Sequence, residues 1–167
     1  MIAKTTNRII VIFLLIIANV ACDQITKEIV RDKVEYHKQT EVVGKYLILT
    51  KVENTGAFLG MGDSLPKPLY ILLMILLPLI AIGYGVYYLV KHKEISLVVF
   101  VAICFIIGGG IGNIWDRILF GSVTDFLYFD FVIFHTGIVN MADISVTLGF
   151  FMILFEQVLN RKNTAKK

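Results

Sequence analysis

The fold is decided by residues 95–117, ISLVVFVAICFIIGGGIGNIWDR, in which no charged side chain precedes the closing Asp-Arg pair. A hydrocarbon core about 30 Å thick needs about 20 helical residues, and this run is long enough to cross it. Three other segments share its length and apolar character. The sequence therefore predicts an all-α membrane protein, a single polytopic domain with transmembrane helices at about 9–30, 69–90, 95–117 and 138–159.

Composition and charge support a membrane location. Apolar residues make up 57% of the chain and charged residues 17%, against about 25% charged residues in a soluble domain. The basic residues flank the apolar runs instead of forming one basic face, which argues against nucleic acid binding. With four spans, the positive-inside rule places both termini and the basic clusters in the cytoplasm. These clusters are Lys4 with Arg8, Lys91 with Lys93, and Arg161, Lys162, Lys166 and Lys167.

Two longer connections then face outward, at about 31–68 and about 118–137. The first contains the β-rich stretch 46–50 followed by several glycines, which predicts a small extracytoplasmic antiparallel sheet on the outer membrane face. The second is an aromatic loop, densest between residues 126 and 134. Its aromatic side chains suit the headgroup boundary, and packing against the sheet is an equal alternative.

The N-terminus also has the pattern of a secretory signal peptide, with basic residues, an apolar run and then Val20-Ala21-Cys22. We interpret it instead as a retained first span. Asn19 stands where a lipoprotein cleavage box has a Leu-like residue, and the apolar run continues past Cys22. Because the cysteines and histidines of the chain are scattered, we predict no disulfide, no metal site and no cofactor.

Two carboxylates are the main candidates for chemistry. Asp143 lies inside the fourth span, where an ionisable residue costs about 2.5–3.5 kcal/mol on insertion scales and is a functional suspect. Taken alone, Asp143 is equally consistent with a structural role. Asp125 follows the third span, and the outer ends of the last two spans are neighbours, so the two carboxylates can meet. In such a pair one carboxylate can take a proton from water while the other donates one to a scissile carbonyl.

Other polar residues lie near the same boundary. Asn113 and Arg117 are four residues apart and share a helix face. Arg117 has three possible roles: to stabilise an ionised carboxylate, to hold a phospholipid headgroup, or only to anchor the helix at the interface. Gly108 and Gly112 form a small-xxx-small face that allows close helix approach. Asn140 precedes Asp143 by three residues and shares its face.

The first span and the loop after it add two further candidates. Asp23 and Lys27 are spaced as a favourable ion pair, which we interpret as structural. The segment from Asn54 to Gly56 is either an ordinary turn or a loop over the site, in which Asn54 binds substrate backbone.

Five motifs occur together on these segments: DQITK from Asp23, NTGA from Asn54, GGGIGNIWDR from Gly108, SVTDF from Ser122 and NMAD from Asn140. Together they resemble the lipoprotein signal peptidases, or signal peptidase II, a bacterial family of membrane aspartyl proteases, over nearly the whole chain. The resemblance implies that Asp125 and Asp143 are the catalytic dyad. The residues that match the family's conserved polar positions are Asp23, Lys27, Asn54, Asn113, Arg117 and Asn140. With Gly56 they are the candidates for substrate binding or support of the site.

The resemblance also implies a substrate and a location. The substrate is the signal peptide of a diacylglyceryl-modified prolipoprotein, cleaved just before the lipidated cysteine at the outer face of the bacterial inner membrane. It implies no metal, membrane phospholipids as surroundings, and inhibition by globomycin-type cyclic peptides. Two positions depart from the family pattern, Phe58 where alanine is common and Val139 where phenylalanine is common.

Two rival functions remain at this stage. An ion-coupled transporter would use Asp23 and Asp143 as proton carriers, although the chain has no internal repeat. A structural membrane subunit would use its polar residues for helix packing. Asp125 separates the three hypotheses, because neither rival needs an aspartate in an outer loop.

Overall fold

Four helices long and apolar enough to cross a membrane are present in the computed structural model, which describes residues 5–57 and 60–164. This confirms the predicted fold class. The first span is α1 (Thr5–Lys33) and the third is α4 (Leu97–Phe120). The second, Lys67–Lys91, consists of α2 (Lys67–Ile71), a π-helical turn (Leu72–Leu76) and α3 (Leu77–Lys91), and the fourth lies in α5 (Met141–Thr164).

The π-helical turn in the second span has a local cause. Pro78 has no backbone N–H, so the helix cannot form the regular hydrogen bond to the carbonyl four residues earlier. The Leu77 N–H instead donates to the carbonyl of Leu72, five residues back. A proline therefore interrupts the regular pattern without ending the helix, and the span continues to Lys91.

A four-stranded antiparallel sheet lies at one end of the helices. Its strands are β1 (Thr40–Val43), β2 (Leu47–Asn54), β3 (Val123–Asp130) and β4 (His135–Val139), in the order β1-β2-β3-β4. Strands β1 and β2 come from the predicted β-rich loop.

The description of residues 118–137 as an aromatic loop is wrong for most of the segment. Helix α4 continues to Phe120, and two strands follow. Strand β3 pairs with β2, so the alternative of packing against the sheet describes it better than a loop at the headgroup boundary. For the same reason the last helix begins at Met141 and not at about 138, since residues up to Val139 belong to β4.

Helix α4 packs closely against α1 through the two glycines of the small-xxx-small face. A Cβ atom added at Gly108 would lie 2.5 Å from Cβ of Asn19, and one at Gly112 would collide with the carboxylate of Asp23. Only glycine permits this approach. The contact brings the polar residues of α1 against α4 near the sheet.

The opposite end of the bundle is closed by Arg8, which is buried. Its guanidinium donates from Nε to the carbonyl of Leu89 at 3.0 Å and from an Nη atom to that of His92 at 2.8 Å. These carbonyls are at the C-terminus of α3, where a helix leaves acceptors unpaired. Arg8 therefore shares one end of the bundle with Lys93, whose carbonyl it also contacts.

Candidate active site

The NMAD motif forms the N-terminal cap of α5. The Asn140 side chain accepts a hydrogen bond from the Asp143 N–H at 2.9 Å, and the Asp143 carboxylate accepts one from the Asn140 N–H at 3.2 Å. This reciprocal pattern is a capping box. Asp23 accepts from the Ala142 N–H at 2.9 Å, which satisfies another free amide of the first turn. The cap fixes the position of the Asp143 carboxylate.

Asp125 is held from two sides on β3. The pairing of β2 with β3 places Asn54 opposite Val123, two residues from Asp125. The Asn54 Nδ2 atom donates to one Asp125 oxygen at 2.9 Å, and the Asn140 Nδ2 atom donates to the other at 2.6 Å. Asp125 is 2% exposed. The sheet and the cap of α5 thus meet at this carboxylate.

Asn113 on α4 connects the two carboxylates to the first helix. Its Nδ2 atom donates to Asp143 at 2.8 Å. Its side-chain oxygen accepts from Lys27 and from Asn140, both at 3.1 Å. Because both donors contact the oxygen, the amide can present only its NH₂ group to Asp143. Lys27 therefore orients Asn113 at the site.

Asp125 and Asp143 line one small polar cavity of about 150 Å³. Burial, and after it the nearby charge of Asp143, raise the pKa of Asp125 from its ordinary 3.8 to about 6, against the opposing effect of the hydrogen bonds from Asn54 and Asn140. Two carboxylates in such a site favour a state with one proton between them. The other residues that line the cavity are Asn54, Ala57, Asn113, Arg117, Val123 and Ile138.

The predicted ion pair of Asp23 and Lys27 is present, but it belongs to a larger cluster. Lys27 Nζ lies 2.8 Å from Asp23 and 3.0 Å from Asp116, with all three side chains buried. Arg31 adds a second cation, 3.0 Å from Asp116. The sequence reasoning did not select Asp116 or Arg31. Asp116 follows Gly112 by four residues, so it belongs to the helix face that contacts α1, and that spacing was the available signal.

Arg117 holds the turn that follows β2 and contacts neither carboxylate. One Nη atom donates to the carbonyl of Gly56 at 2.8 Å, and the other to that of Asn113 at 3.3 Å. The turn is tight, because a Cβ atom at Gly56 would lie 2.6 Å from the carbonyl of Gly60. The Gly56 N–H donates to the Asn54 side chain at 3.0 Å. Gly56 and Asn54 therefore form a turn that also lies over the dyad cavity.

We expect Arg117→Lys to lower the rate of cleavage while the protein still folds. A lysine ammonium is a point donor and cannot span the carbonyls of Gly56 and Asn113 as a planar guanidinium does. The loss of one hydrogen bond to a charged donor is worth about 1.5–3 kcal/mol, so we expect a loss of at least about tenfold. Purified variant and wild type should be compared by kcat/KM, with thermal unfolding as the control for folding. If the Arg117→Lys variant cleaves at the wild-type rate, Arg117 serves only to anchor the helix at the membrane interface.

Fold and site together define a polytopic membrane protein with a pair of carboxylates, Asp125 buried and Asp143 half-buried, at the sheet end of its helices. Comparison with known proteins agrees. Residues 15–159 match the profile of the signal peptidase (SPase) II family. The chain is 34% identical to a lipoprotein signal peptidase of Symbiobacterium thermophilum, covering 90% of this chain and 97% of that protein. It is 30% identical to one from Staphylococcus aureus strain JH9, covering 97% and 93%.

A solved structure shows the same fold. It is described as a bacterial membrane enzyme, and it superposes with a TM-score of 0.83 at 27% identity, covering 94% of this chain and 93% of its own. The chain therefore belongs to the signal peptidase II family. It is a multi-pass membrane protease that removes signal peptides.

Proposed function

We propose that the protein is an aspartic endopeptidase that removes the signal peptide from diacylglyceryl-modified prolipoproteins, cutting just before the lipidated cysteine. The name of the relatives, lipoprotein signal peptidase, supports the substrate class. The observation that carries the chemistry is the polar cavity that Asp125 and Asp143 share. Both carboxylates receive directed hydrogen bonds there, so their oxygens are held in fixed positions.

In this mechanism the raised pKa of Asp125 makes it the proton donor. Asp143 takes a proton from a water molecule, whose oxygen attacks the scissile carbonyl carbon, while Asp125 donates its proton to the carbonyl oxygen. A new C–O bond forms, which gives a tetrahedral intermediate with two hydroxyl groups. The C–N bond then breaks as Asp143 passes its proton to the leaving amine of the cysteine and one hydroxyl group returns a proton to Asp125. The products are a carboxylic acid and an amine, and the dyad is restored.

The pKa of Asp125 predicts a pH dependence. Asp125 keeps its proton below about pH 6 and loses it as the pH rises through that value. If the protonated form donates to the carbonyl, kcat/KM should fall as the pH rises above about 6, because kcat/KM reports the ionisation of the free enzyme. A full profile should be bell-shaped, since protonation of both carboxyls at low pH also stops the reaction. If kcat/KM does not change through pH 6, Asp125 is not the group that donates the proton to the carbonyl oxygen.

The proposed location is the bacterial inner membrane, with both termini in the cytoplasm and the site at the outer face, among membrane phospholipids. Arg8 and Lys93 support it, because they share the end of the bundle opposite the sheet. Reporter fusions at Lys45, between β1 and β2, should be extracytoplasmic, and fusions at His92 should be cytoplasmic. A cytoplasmic signal at Lys45 would reverse the topology.

The proposed function is tested by incubating purified protein with a diacylglyceryl-modified prolipoprotein. We expect a product that begins with the lipidated cysteine, identified by mass spectrometry, and inhibition by globomycin. The matched control is the same prolipoprotein without its lipid, which should remain uncut. Equal cleavage of both forms would contradict the lipid requirement, and no cleavage of either would contradict the proposal as a whole.

A further inference from the structure

A second and larger cavity, of about 670 Å³, lies beside the dyad cavity. Asn113 and Asp143 line both cavities, so the two are continuous at the dyad. From there the larger cavity extends along α5 to Leu148, about two helical turns from the start of that helix. Apart from a few polar groups it is lined by apolar atoms. None of the steps proposed above uses it.

The other wall of this cavity is the outer edge of β4. Four of the five residues of β4 line it, namely His135, Thr136, Gly137 and Val139. Successive side chains of a strand point to opposite faces, so a cavity that touches neighbouring residues lies along the edge of the strand. In the described part of the chain, β4 is the last strand of the sheet and pairs only with β3. Its outer edge therefore presents unpaired backbone groups to the cavity.

We propose that this cavity binds the segment of the signal peptide that precedes the scissile bond, in extended form, as a fifth strand paired with β4. This inference rests on the proposed function and adds the mode by which the substrate is recognised. An extended peptide gains main-chain hydrogen bonds from an open strand edge, while pockets beside the edge select its side chains. Because the peptide cavity is continuous with the dyad cavity at Asp143, the end of the bound strand lies at the dyad.

A hydrocarbon occupant fits this cavity less well. The acyl chains of the substrate would fill apolar space but would leave the N–H and C=O groups of the β4 edge without partners. In hydrocarbon each such group costs several kcal/mol. A peptide strand satisfies those groups and its own at the same time. The combination of an apolar lining with one unpaired strand edge thus favours an apolar peptide over an acyl chain.

A third cavity, of about 240 Å³, offers the rest of the substrate a route to water. Asn54, Asp125 and Ile138 line both this cavity and the dyad cavity, whereas Asp143 does not line it. Glu53 also lines it and is exposed to solvent, as the exit for a chain that continues into water requires. In this arrangement the signal peptide occupies the cavity next to Asp143, and the lipoprotein chain leaves past Glu53.

The α5 wall of the peptide cavity offers the residue to enlarge. Val146 lines the cavity and lies about one helical turn beyond Asp143. A larger side chain at position 146 would occupy space that the bound peptide needs. Val158 offers a matched control, because it is an exposed valine on the same helix that does not line the cavity.

The first experiment measures cleavage of synthetic lipidated peptides with one N-methylated amide at successive positions before the scissile bond. N-methylation removes one N–H donor and leaves the side chain unchanged. Every second amide of an added strand points to β4, so we expect cleavage to fall about tenfold or more at alternate positions, with little change at those between. Equal effects at all positions, or at none, would overturn the strand pairing. If the unmodified peptide is not cut, the proposed function fails as well.

The second experiment compares Val146→Phe with Val158→Phe in the purified protein. Substrates carry either leucine or alanine at each of the three positions before the cut, and a parallel set differs only in acyl chain length. We expect Val146→Phe to reduce cleavage of a leucine substrate about tenfold relative to its alanine partner, with Val158→Phe unchanged. Selectivity that shifts with acyl chain length and not with the peptide would assign the cavity to the lipid and overturn the proposal. If Val146→Phe does not fold, the N-methylated series decides alone.

Discussion

Asp125→Asn and Asp143→Asn should each lower the rate of signal peptide cleavage by at least about 10²–10⁴-fold, the usual contribution of a general acid or base. Asparagine has the shape of aspartate but can neither take a proton from water nor donate an acidic one. The double variant should be no slower than either single variant, because residues that act as a unit are not additive. The measurement is a single-turnover rate with lipidated prolipoprotein.

The control for this pair is Asp130→Asn on the same strand as Asp125. Asp130 accepts a hydrogen bond from the Val132 N–H at 2.8 Å, which asparagine can also accept. Asp130 does not line the dyad cavity, so the Asp130→Asn variant should cleave the signal peptide at the wild-type rate. Each dyad variant leaves one donor facing a new NH₂ group, so its thermal unfolding must be compared with the wild type. A folded dyad variant that keeps more than about a tenth of the rate would contradict the aspartyl mechanism.

Lys27→Met should give the largest loss of stability, about 3–5 kcal/mol in the free energy of unfolding. Lys27 is fully buried between Asp23 and Asp116. Its removal leaves these two carboxylates with one cation, Arg31, which forms an ion pair with Asp116 and not with Asp23. Methionine fills a similar volume, so the loss of charge is the main change. The measurement is equilibrium or thermal unfolding in detergent.

Two further variants separate this electrostatic effect from a general effect of the substitution. Lys33→Met changes an exposed lysine at the end of the same helix, and such surface changes are usually within about 0.5 kcal/mol. Adding Asp23→Asn to Lys27→Met removes the carboxylate left without a cation and should restore part of the lost stability. If Lys27→Met unfolds like the wild type, or if the second change gives no recovery, the cluster does not stabilise the fold as described.

Sequence motifs pointed to residues that the structure brings together. Asn54, Asn113, Arg117, Asp125 and Asp143 all line one cavity, although they come from four elements, β2, α4, β3 and α5. The motifs identified these positions because they place rare polar residues in or beside long apolar runs. A polar group is costly there and is therefore a candidate for function. Their roles in catalysis stay predictions. Asp116 lies within the GGGIGNIWDR motif but was not selected as a site residue, because a charge at the end of a span is common and its partners lie on another helix. Arg31 lies outside the motifs.

The spacing of residues on one helix face did not identify the hydrogen-bond partners of Arg117. Spacing correctly placed Arg117 beside Asn113, and both line the dyad cavity. Whether Arg117 stabilises a carboxylate depends on which groups lie opposite its guanidinium. In the structure these are the carbonyls of Gly56 and Asn113. Partners on other segments depend on the packing of the whole chain, which spacing along one helix does not describe.

The sequence by itself determined that the protein has four membrane spans, because hydrocarbon thickness and the need to satisfy every backbone group act on each segment separately. The spacing of three residues also placed Asn140 beside Asp143, although the cap that the two form at the start of α5 was not predicted. Only the tertiary structure decided which strands pair in the sheet. Strand β2 begins at Leu47 and pairs with β3, which begins 76 residues later at Val123. Strand pairing joins distant segments, so no local pattern specifies it. The pairing places Asn54 on Asp125 and leaves the edge of β4 open beside Asp143.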